Sequence, residues 1–210
     1  MLQFLTNIGK PCILIGHNIK TFDISRLIYN LVKLNLIQDF AKVIIGSIDT
    51  LFLIKKKFPE RKGKGALKLT VLVKDLLNQP FDNAHDAYAD VCALESLIHK
   101  YFEPNYLMKF VYRFKDSICD FKNSLSSKEN EESLKPLQNV VSNYTINKLA
   151  NAGISILQLR EKYEANGKKG LEDDFGNMCA TKFGQKKRKS NFLKCDQLQL
   201  LFNYFEKHAS

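Results

Sequence analysis

The sequence predicts an α/β domain of about two parallel strands plus helices, followed by a small all-helical domain. Two short apolar runs, at 12–16 and about 43–49, are typical of strands buried on both faces of a sheet. Each run is followed by a helical pattern, and strands that alternate with helices favour a parallel sheet. The residues after 143 contain only helical patterns, so we expect a separate helical unit there.

The first strand leads into a polar turn and then a helix. The run Cys-Ile-Leu-Ile-Gly over 12–16 precedes His17 and Asn18, and an apolar period over 22–37 predicts the helix. Asn18 or Thr21 is expected to cap this helix, with Asp23 in its first turn. His17, Asn18 and Asp23 should therefore lie at the carboxyl edge of the sheet, where open α/β sheets bind ligands.

The second strand is followed by helices predicted near 50–57, 67–78 and 86–102. The segment between this strand and the 67–78 helix is rich in positive charge: it contains Lys55, Lys56, Lys57, Arg61, Lys62 and Lys64. With a net charge of +10, this segment predicts contacts to nucleic-acid phosphates that do not read the base sequence. An ordinary solvated surface is the alternative interpretation.

A third polar segment combines His85 with Asp90 at the start of the 86–102 helix. Val91, Leu94, Ile98 and Tyr101 recur every three or four residues and predict its buried face. A carboxylate there can hold a hard cation, and a nearby imidazole can take a proton from water. The alternative is that Asp90 simply suits the positive end of the helix dipole.

Together these segments resemble a known enzyme family. The pattern GHNxxxFD over 16–23 resembles the second motif of the DEDDh 3′–5′ exonucleases, which have a ribonuclease H-like fold. The pattern NAHDAxxDVxAL over 83–94 resembles their third motif, and the likeness covers about residues 10–102. The resemblance implies that Asp23 and Asp90 are metal ligands, that His85 is the general base, and that Mg²⁺ or Mn²⁺ is the cofactor. It also implies a nucleic-acid substrate, DNA or RNA, bound at 3′ ends or as single strands, with His17 and Asn18 as candidate contacts to it.

The resemblance is incomplete at one point. The family takes two further carboxylates from an Asp-x-Glu pair on its first strand, and no Asp-x-Glu occurs in the 210 residues. We therefore expect an N-terminally shortened, incomplete ribonuclease H-like fold that is inactive as this chain. A partner chain that completes the sheet is the alternative.

The domain order resembles a narrower group, the exonuclease-like C-terminal domain of promyelocytic leukaemia protein and its invertebrate relatives. We expect the exonuclease-like part over 1–122, a flexible linker over 123–143, and the helical domain over 144–210. Its helices are predicted at about 145–151, 155–165, 171–178 and 195–207. Several members of this group have lost acidic positions, so the fold can persist without catalysis.

Composition indicates an intracellular protein. No apolar run is long enough to cross a membrane, and the first residues lack the pattern of a signal peptide. Five scattered cysteines indicate reduced thiols. The basic run 186–189 is compatible with nuclear import or with a solvated loop, and nuclear location is expected over cytoplasmic.

Three functional hypotheses follow. The first is a fragment of a metal-dependent 3′–5′ exonuclease. The second is a noncatalytic nucleic-acid-binding or scaffolding module that has kept the fold. The third is a metal phosphohydrolase of the all-helical HD type, which the strands at 12–16 and 43–48 argue against.

Overall fold

The computed structural model describes residues 1–81, 86–176 and 192–208. His85, Cys179 and the basic run 186–189 lie outside these ranges. The chain divides into two compact units, Met1–Phe121 and Lys122–Ser210.

The first unit contains a small mixed sheet and most of the helices. Its elements are α1 (Leu2–Asn7), β1 (Cys12–Gly16), α2 (Asp23–Lys33), α3 (Ile37–Val43), β2 (Ile44–Asp49), α4 (Thr50–Lys57), α5 (Leu69–Leu72) with a π-helical turn (Val73–Leu77), α6 (Ala87–Tyr101), α7 (Pro104–Met108), β3 (Tyr112–Arg113) and the start of α8 (Phe114–Ser133). The predicted strand at 12–16 and helix at 50–57 are confirmed at both ends.

The sheet has the order β1–β2–β3. β1 and β2 are parallel, with Gly16 opposite Asp49 at their carboxyl ends, whereas the two-residue β3 is antiparallel to β2. Gly46 allows β3 to approach closely, because a Cβ there would lie 2.4 Å from the Tyr112 carbonyl oxygen. The α/β character is therefore confirmed, and β3 is an addition that the sequence did not predict.

A bulge in β2 places Ile44 and Ile48 on opposite faces of the sheet. Cys12 pairs with Ile44 but Ile13 pairs with Gly46, so Ile45 is a bulge. In a regular strand Ile44 and Ile48 would point to the same face. Here Ile48 packs in a core with residues of α4, α5 and α6, and Ile44 packs in another with residues of α1, α2 and α3. Helices therefore cover both faces of the sheet.

Two details of the first unit differ from expectation. The predicted helix over 22–37 ends at Lys33, because Asn35 adopts a left-handed φ of 57° before α3 begins. Neither Asn18 nor Thr21 caps α2; its N-cap is Phe22, which makes no side-chain cap hydrogen bond.

The predicted buried face of α6 is also partly wrong. Val91 is 63% exposed, whereas Leu94 is buried as expected. The core meets the face carrying Ala93 and Leu97, which are spaced one turn apart, so α6 is rotated away from the predicted stripe.

The second unit is helical. After the end of α8 come a 3₁₀ turn (Lys135–Leu137), α9 (Asn143–Asn151), α10 (Ile156–Leu171), a π-helical turn (Glu172–Gly176) and α11 (Cys195–Lys207). The predicted helix at 195–207 is confirmed. Gly167 has a left-handed φ of 56° and Asn166 also leaves helical geometry, so the helix predicted over 155–165 ends there and a second helical stretch follows within α10.

The flexible linker predicted over 123–143 is wrong. Residues 123–133 belong to α8, and Leu134, Leu137 and Val141 are buried in the core of the second unit. These apolar residues recur every three or four positions, so the segment docks even though its flanking residues are polar. In the part of the chain that the structure describes, no helix is both long and apolar enough to span a membrane.

Candidate functional site

Asp49 organises the carboxyl edge of the sheet. Its Oδ1 accepts hydrogen bonds from the backbone N–H groups of Asn18 (2.9 Å) and Leu51 (3.0 Å), and its Oδ2 accepts one from Lys20 (3.4 Å). The carboxylate therefore caps α4 and holds the loop after β1. Both of its oxygens are in use within the protein.

His17 joins three segments at the same edge. Its Nε2 lies 2.8 Å from the Leu67 carbonyl oxygen, and its Nδ1 lies 3.1 Å from the Thr50 hydroxyl. A carbonyl oxygen only accepts, so Nε2 carries a hydrogen and donates it. The buried Thr50 hydroxyl also lies 3.2 Å from the Gly16 carbonyl oxygen, to which it can donate. His17, predicted to contact nucleic acid, thus has both ring nitrogens engaged in tertiary contacts.

Asn18 shapes the loop that follows His17. Its φ of 61° lies in the left-handed region, which Asn tolerates better than most residues. Its backbone N–H group donates to Asp49, and the residue as a whole is exposed to solvent. The backbone of Asn18 is therefore structural, and its amide is open to solvent. A role of that amide in binding stays a prediction.

Lys20 fastens the other end of this loop to β3 and α8. Its Nζ lies 3.7 Å from the centre of the Tyr112 ring and 3.7 Å from a carboxylate oxygen of Asp120. The Tyr112 hydroxyl donates to that same carboxylate at 2.7 Å, which raises the pKa of Tyr112 to about 12. These three residues were not identified from the sequence.

The two predicted metal ligands both lie in first helical turns. Asp23 is exposed at the start of α2, and Asp90 is half-buried in the first turn of α6. Asp86 caps α6 by accepting from the Ala89 N–H group at 2.9 Å. Because His85 lies outside the described residues, the convergence of Asp23, His85 and Asp90 on one pocket stays a prediction.

The described residues do not supply the metal centre that the resemblance implies. Across 1–81, 86–176 and 192–208, no three His, Cys, Asp or Glu side chains are grouped as a metal ion would need. Asp49, a carboxylate at the expected edge, is committed to three backbone N–H groups. The donor set of these described residues therefore does not fit a two-ion site.

The predicted basic residues separate into two kinds. Lys57 donates from its Nζ to the Tyr101 carbonyl oxygen at 2.8 Å, at the carboxyl end of α6. Arg61 donates to Asp75 at 2.9 Å and is largely buried. These two residues therefore serve the fold.

The remaining four basic residues are exposed. Lys55 and Lys56 lie in the last turn of α4 and not in a loop, and Lys62 and Lys64 follow that helix. Within the described ranges, none of the four has an ion-pair partner.

An exposed aromatic ring accompanies these lysines. Phe52 is 57% exposed, and residues three and four positions after it on α4 are Lys55 and Lys56. Residues with this spacing share one face of a helix. We call Phe52, Lys55 and Lys56 the α4 outer face. The sequence held the signal, since Leu53 and Ile54 define the opposite, buried side.

Phe58 and Phe81 are half-buried and pack against the core that contains Ile48.

Comparisons of the chain with protein-family models, with curated proteins and with solved structures find no match.

Proposed function

We propose that this chain is a nucleic-acid-binding protein built on an exonuclease-like, ribonuclease H-like fold, and that it binds without cleaving. Helices on both faces of a sheet with two parallel strands support this fold, as does the order of the two motifs. The lack of an Asp-x-Glu pair in the sequence supports binding over cleavage, because two of the four carboxylates of the family's two-ion site have no counterpart in this chain.

The α4 outer face is the observation on which the binding proposal depends. It presents two exposed ammonium groups in a protein of net charge +10. Lys62 and Lys64 extend the positive charge along the chain. Such groups neutralise phosphates, release counterions and position a strand without reading its sequence. Lys57 and Arg61, which have partners within the protein, contribute little to binding under this proposal.

The test is a titration of labelled mixed-sequence oligonucleotides at two salt concentrations. For single strands, each phosphate contact adds roughly 0.7 to the slope of log affinity against log salt. We expect the double change Lys55→Glu/Lys56→Glu to weaken binding at least roughly ten-fold for every sequence and to reduce this slope.

The matched control is Lys33→Glu/Lys207→Glu, which makes the same change in net charge. Lys33 and Lys207 also lie in last helical turns, so the cost to the helix dipole is similar. An equal loss in both double variants would contradict the proposal, because binding would then depend only on total charge.

The second candidate function is a metal-dependent 3′–5′ exonuclease. The positions of Asp23 and Asp90, which belong to the two motifs and lie in first helical turns, favour it. Release of mononucleotides in the presence of Mg²⁺ or Mn²⁺, abolished by Asp90→Ala, would establish this function and replace the first proposal. We expect no such processive activity, because the ligands for a second ion are too few. A partner chain that adds a strand to β1 belongs to this candidate, since it would bring further carboxylates.

A further inference from the structure

We infer that Phe52 is a stacking platform for an unpaired base, so that the α4 outer face binds single-stranded nucleic acid in preference to duplex. This inference rests on the proposed function and deepens it. An exposed ring flanked by ammonium groups is the arrangement used by proteins that track single strands, where bases stack on aromatic side chains and lysines contact phosphates.

Phe52 is held in place by a series of aromatic rings. Ring centres are 6.1 Å apart for Phe102 and Tyr106, 4.9 Å for Tyr106 and Phe110, and 6.0 Å for Phe110 and Phe52. Phe102 at the inner end is 6% exposed, whereas Phe52 at the outer end is 57% exposed. A ring that is supported from the core and open to solvent loses little side-chain freedom when a base stacks on it.

The neighbouring ammonium group is also positioned. The Nζ of Lys56 lies 4.8 Å from the centre of the Phe110 ring, a distance typical of a cation–π contact. Lys56 is thus held beside Phe110, the ring against which Phe52 packs. Lys55 lies on the same face of the helix. One base on Phe52 and its flanking phosphates on the two lysines would occupy this surface.

The chemistry of this surface selects an unpaired strand. In a duplex the base faces are stacked on one another, so duplex can offer phosphates to Lys55 and Lys56 but no face to Phe52. An anionic membrane is a poorer fit, since membrane-surface helices insert a broad apolar face into the lipid. The apolar residues Leu53 and Ile54 of α4 are instead buried in the core.

The experiment compares three variants of the full chain with a single-stranded oligonucleotide and its duplex. Phe52→Leu keeps apolar packing on Phe110 but removes the aromatic face. We expect it to weaken single-strand binding roughly 5- to 150-fold, the range that one stacked base contributes, and to leave duplex binding unchanged. Phe52→Tyr should restore the affinity for the single strand.

Phe52→Trp provides a direct spectroscopic measurement. The chain contains no tryptophan, so this variant has a single indole. We expect its fluorescence to be quenched when the single strand binds and to change little with duplex. This measurement also keeps the inference testable if Phe52→Leu fails to fold.

Each contrary result has a distinct meaning. Unchanged single-strand affinity in Phe52→Leu, or no quenching in Phe52→Trp, would overturn the stacking platform while the salt-dependent binding of the proposed function still stood. Absence of binding to either nucleic acid would overturn both. Binding to vesicles that contain phosphatidylserine, without binding to oligonucleotides, would assign the surface to a membrane and overturn both as well.

Discussion

The carboxyl edge of the sheet and the α4 outer face are adjacent along the chain but use their polar groups differently. At the edge, Asp49 and His17 direct every acceptor and ring nitrogen toward other parts of the protein. About two helical turns later, Lys55 and Lys56 are exposed to solvent. Matching a family motif therefore does not make a residue available to a ligand, because the same side chain can be committed to holding a loop.

The difference has a simple physical origin. Where β1 and β2 end, a loop and the first turn of α4 leave backbone N–H groups that need acceptors. Asp49 satisfies three of them. At the last turn of α4 the unsatisfied backbone groups are carbonyl oxygens, and the positive charge of lysines there complements the helix dipole. The ammonium groups of Lys55 and Lys56 remain in solvent, where phosphate can replace water.

The largest effect is expected for Asp49→Ala. It leaves three backbone N–H groups without their charged acceptor, and a hydrogen bond to a charged group contributes about 1.5–3 kcal/mol. Because the site is only half-buried and water can replace part of this, we expect the free energy of unfolding to fall by about 3 kcal/mol, measured by urea denaturation. The control Asp39→Ala removes an exposed ion pair with Lys42 and should cost at most about 0.5 kcal/mol. A loss of nucleic-acid affinity without a loss of stability in Asp49→Ala would contradict the structural role of Asp49.

Thr50→Val tests the commitment of His17. Valine matches the shape of threonine but has no hydroxyl, so the His17 Nδ1 and the Gly16 carbonyl oxygen lose a partner. We expect the free energy of unfolding to fall by about 1–2 kcal/mol. Thr21→Val, at an exposed position, should be close to neutral. Equal stability of the two variants in the same denaturation assay would show that the His17 contacts are unimportant.

Lys57→Met sharpens the division between structural and binding lysines. Methionine keeps the apolar stem but removes the hydrogen bond to the Tyr101 carbonyl oxygen. We expect a loss of about 0.5–1 kcal/mol in the free energy of unfolding and unchanged nucleic-acid affinity. Lys55→Met should leave the free energy of unfolding unchanged and weaken nucleic-acid binding. The two lysines would be equivalent if both variants lost affinity to the same degree.

The smallest effect concerns the alkaline stability that Tyr112 contributes. Its folded pKa of about 12 exceeds the ordinary value of 10.0, because the hydroxyl donates to Asp120. A raised folded pKa stabilises the protein fully below the unfolded pKa, and this stabilisation is lost as pH rises from 10 toward 12. Urea denaturation at pH 9 and pH 11 should therefore show a steeper fall in the wild type than in Tyr112→Phe. Parallel falls in the two proteins would contradict the assigned hydrogen bond.

Element types and order were predictable over much of the chain. The strand at 12–16 and the helices at 50–57 and 195–207 follow from short apolar runs and from a regular apolar period, which are local signals. The polar composition of the segment 123–143 is typical of a linker, but its few apolar residues are spaced so that they pack in the core of the second unit. Periodicity identifies the apolar stripe of α6 but not the part of it that neighbouring elements cover, and Val91 lies on the part that stays exposed.

Amino-acid order alone thus determined the α/β character, the parallel strand pair and the excess of positive charge. Which polar groups form hydrogen bonds within the protein, and which remain available to a ligand, depends on contacts between distant segments. The deciding hydrogen bonds join residues far apart in the chain: Asp49 to Asn18 across 31 positions, His17 to Leu67 across 50, and Lys57 to Tyr101 across 44. No local pattern encodes such pairs. The sequence could place Phe52 on the outer side of α4, but the packing of its ring against Phe110, and of Phe110 against Tyr106, depends on the tertiary structure.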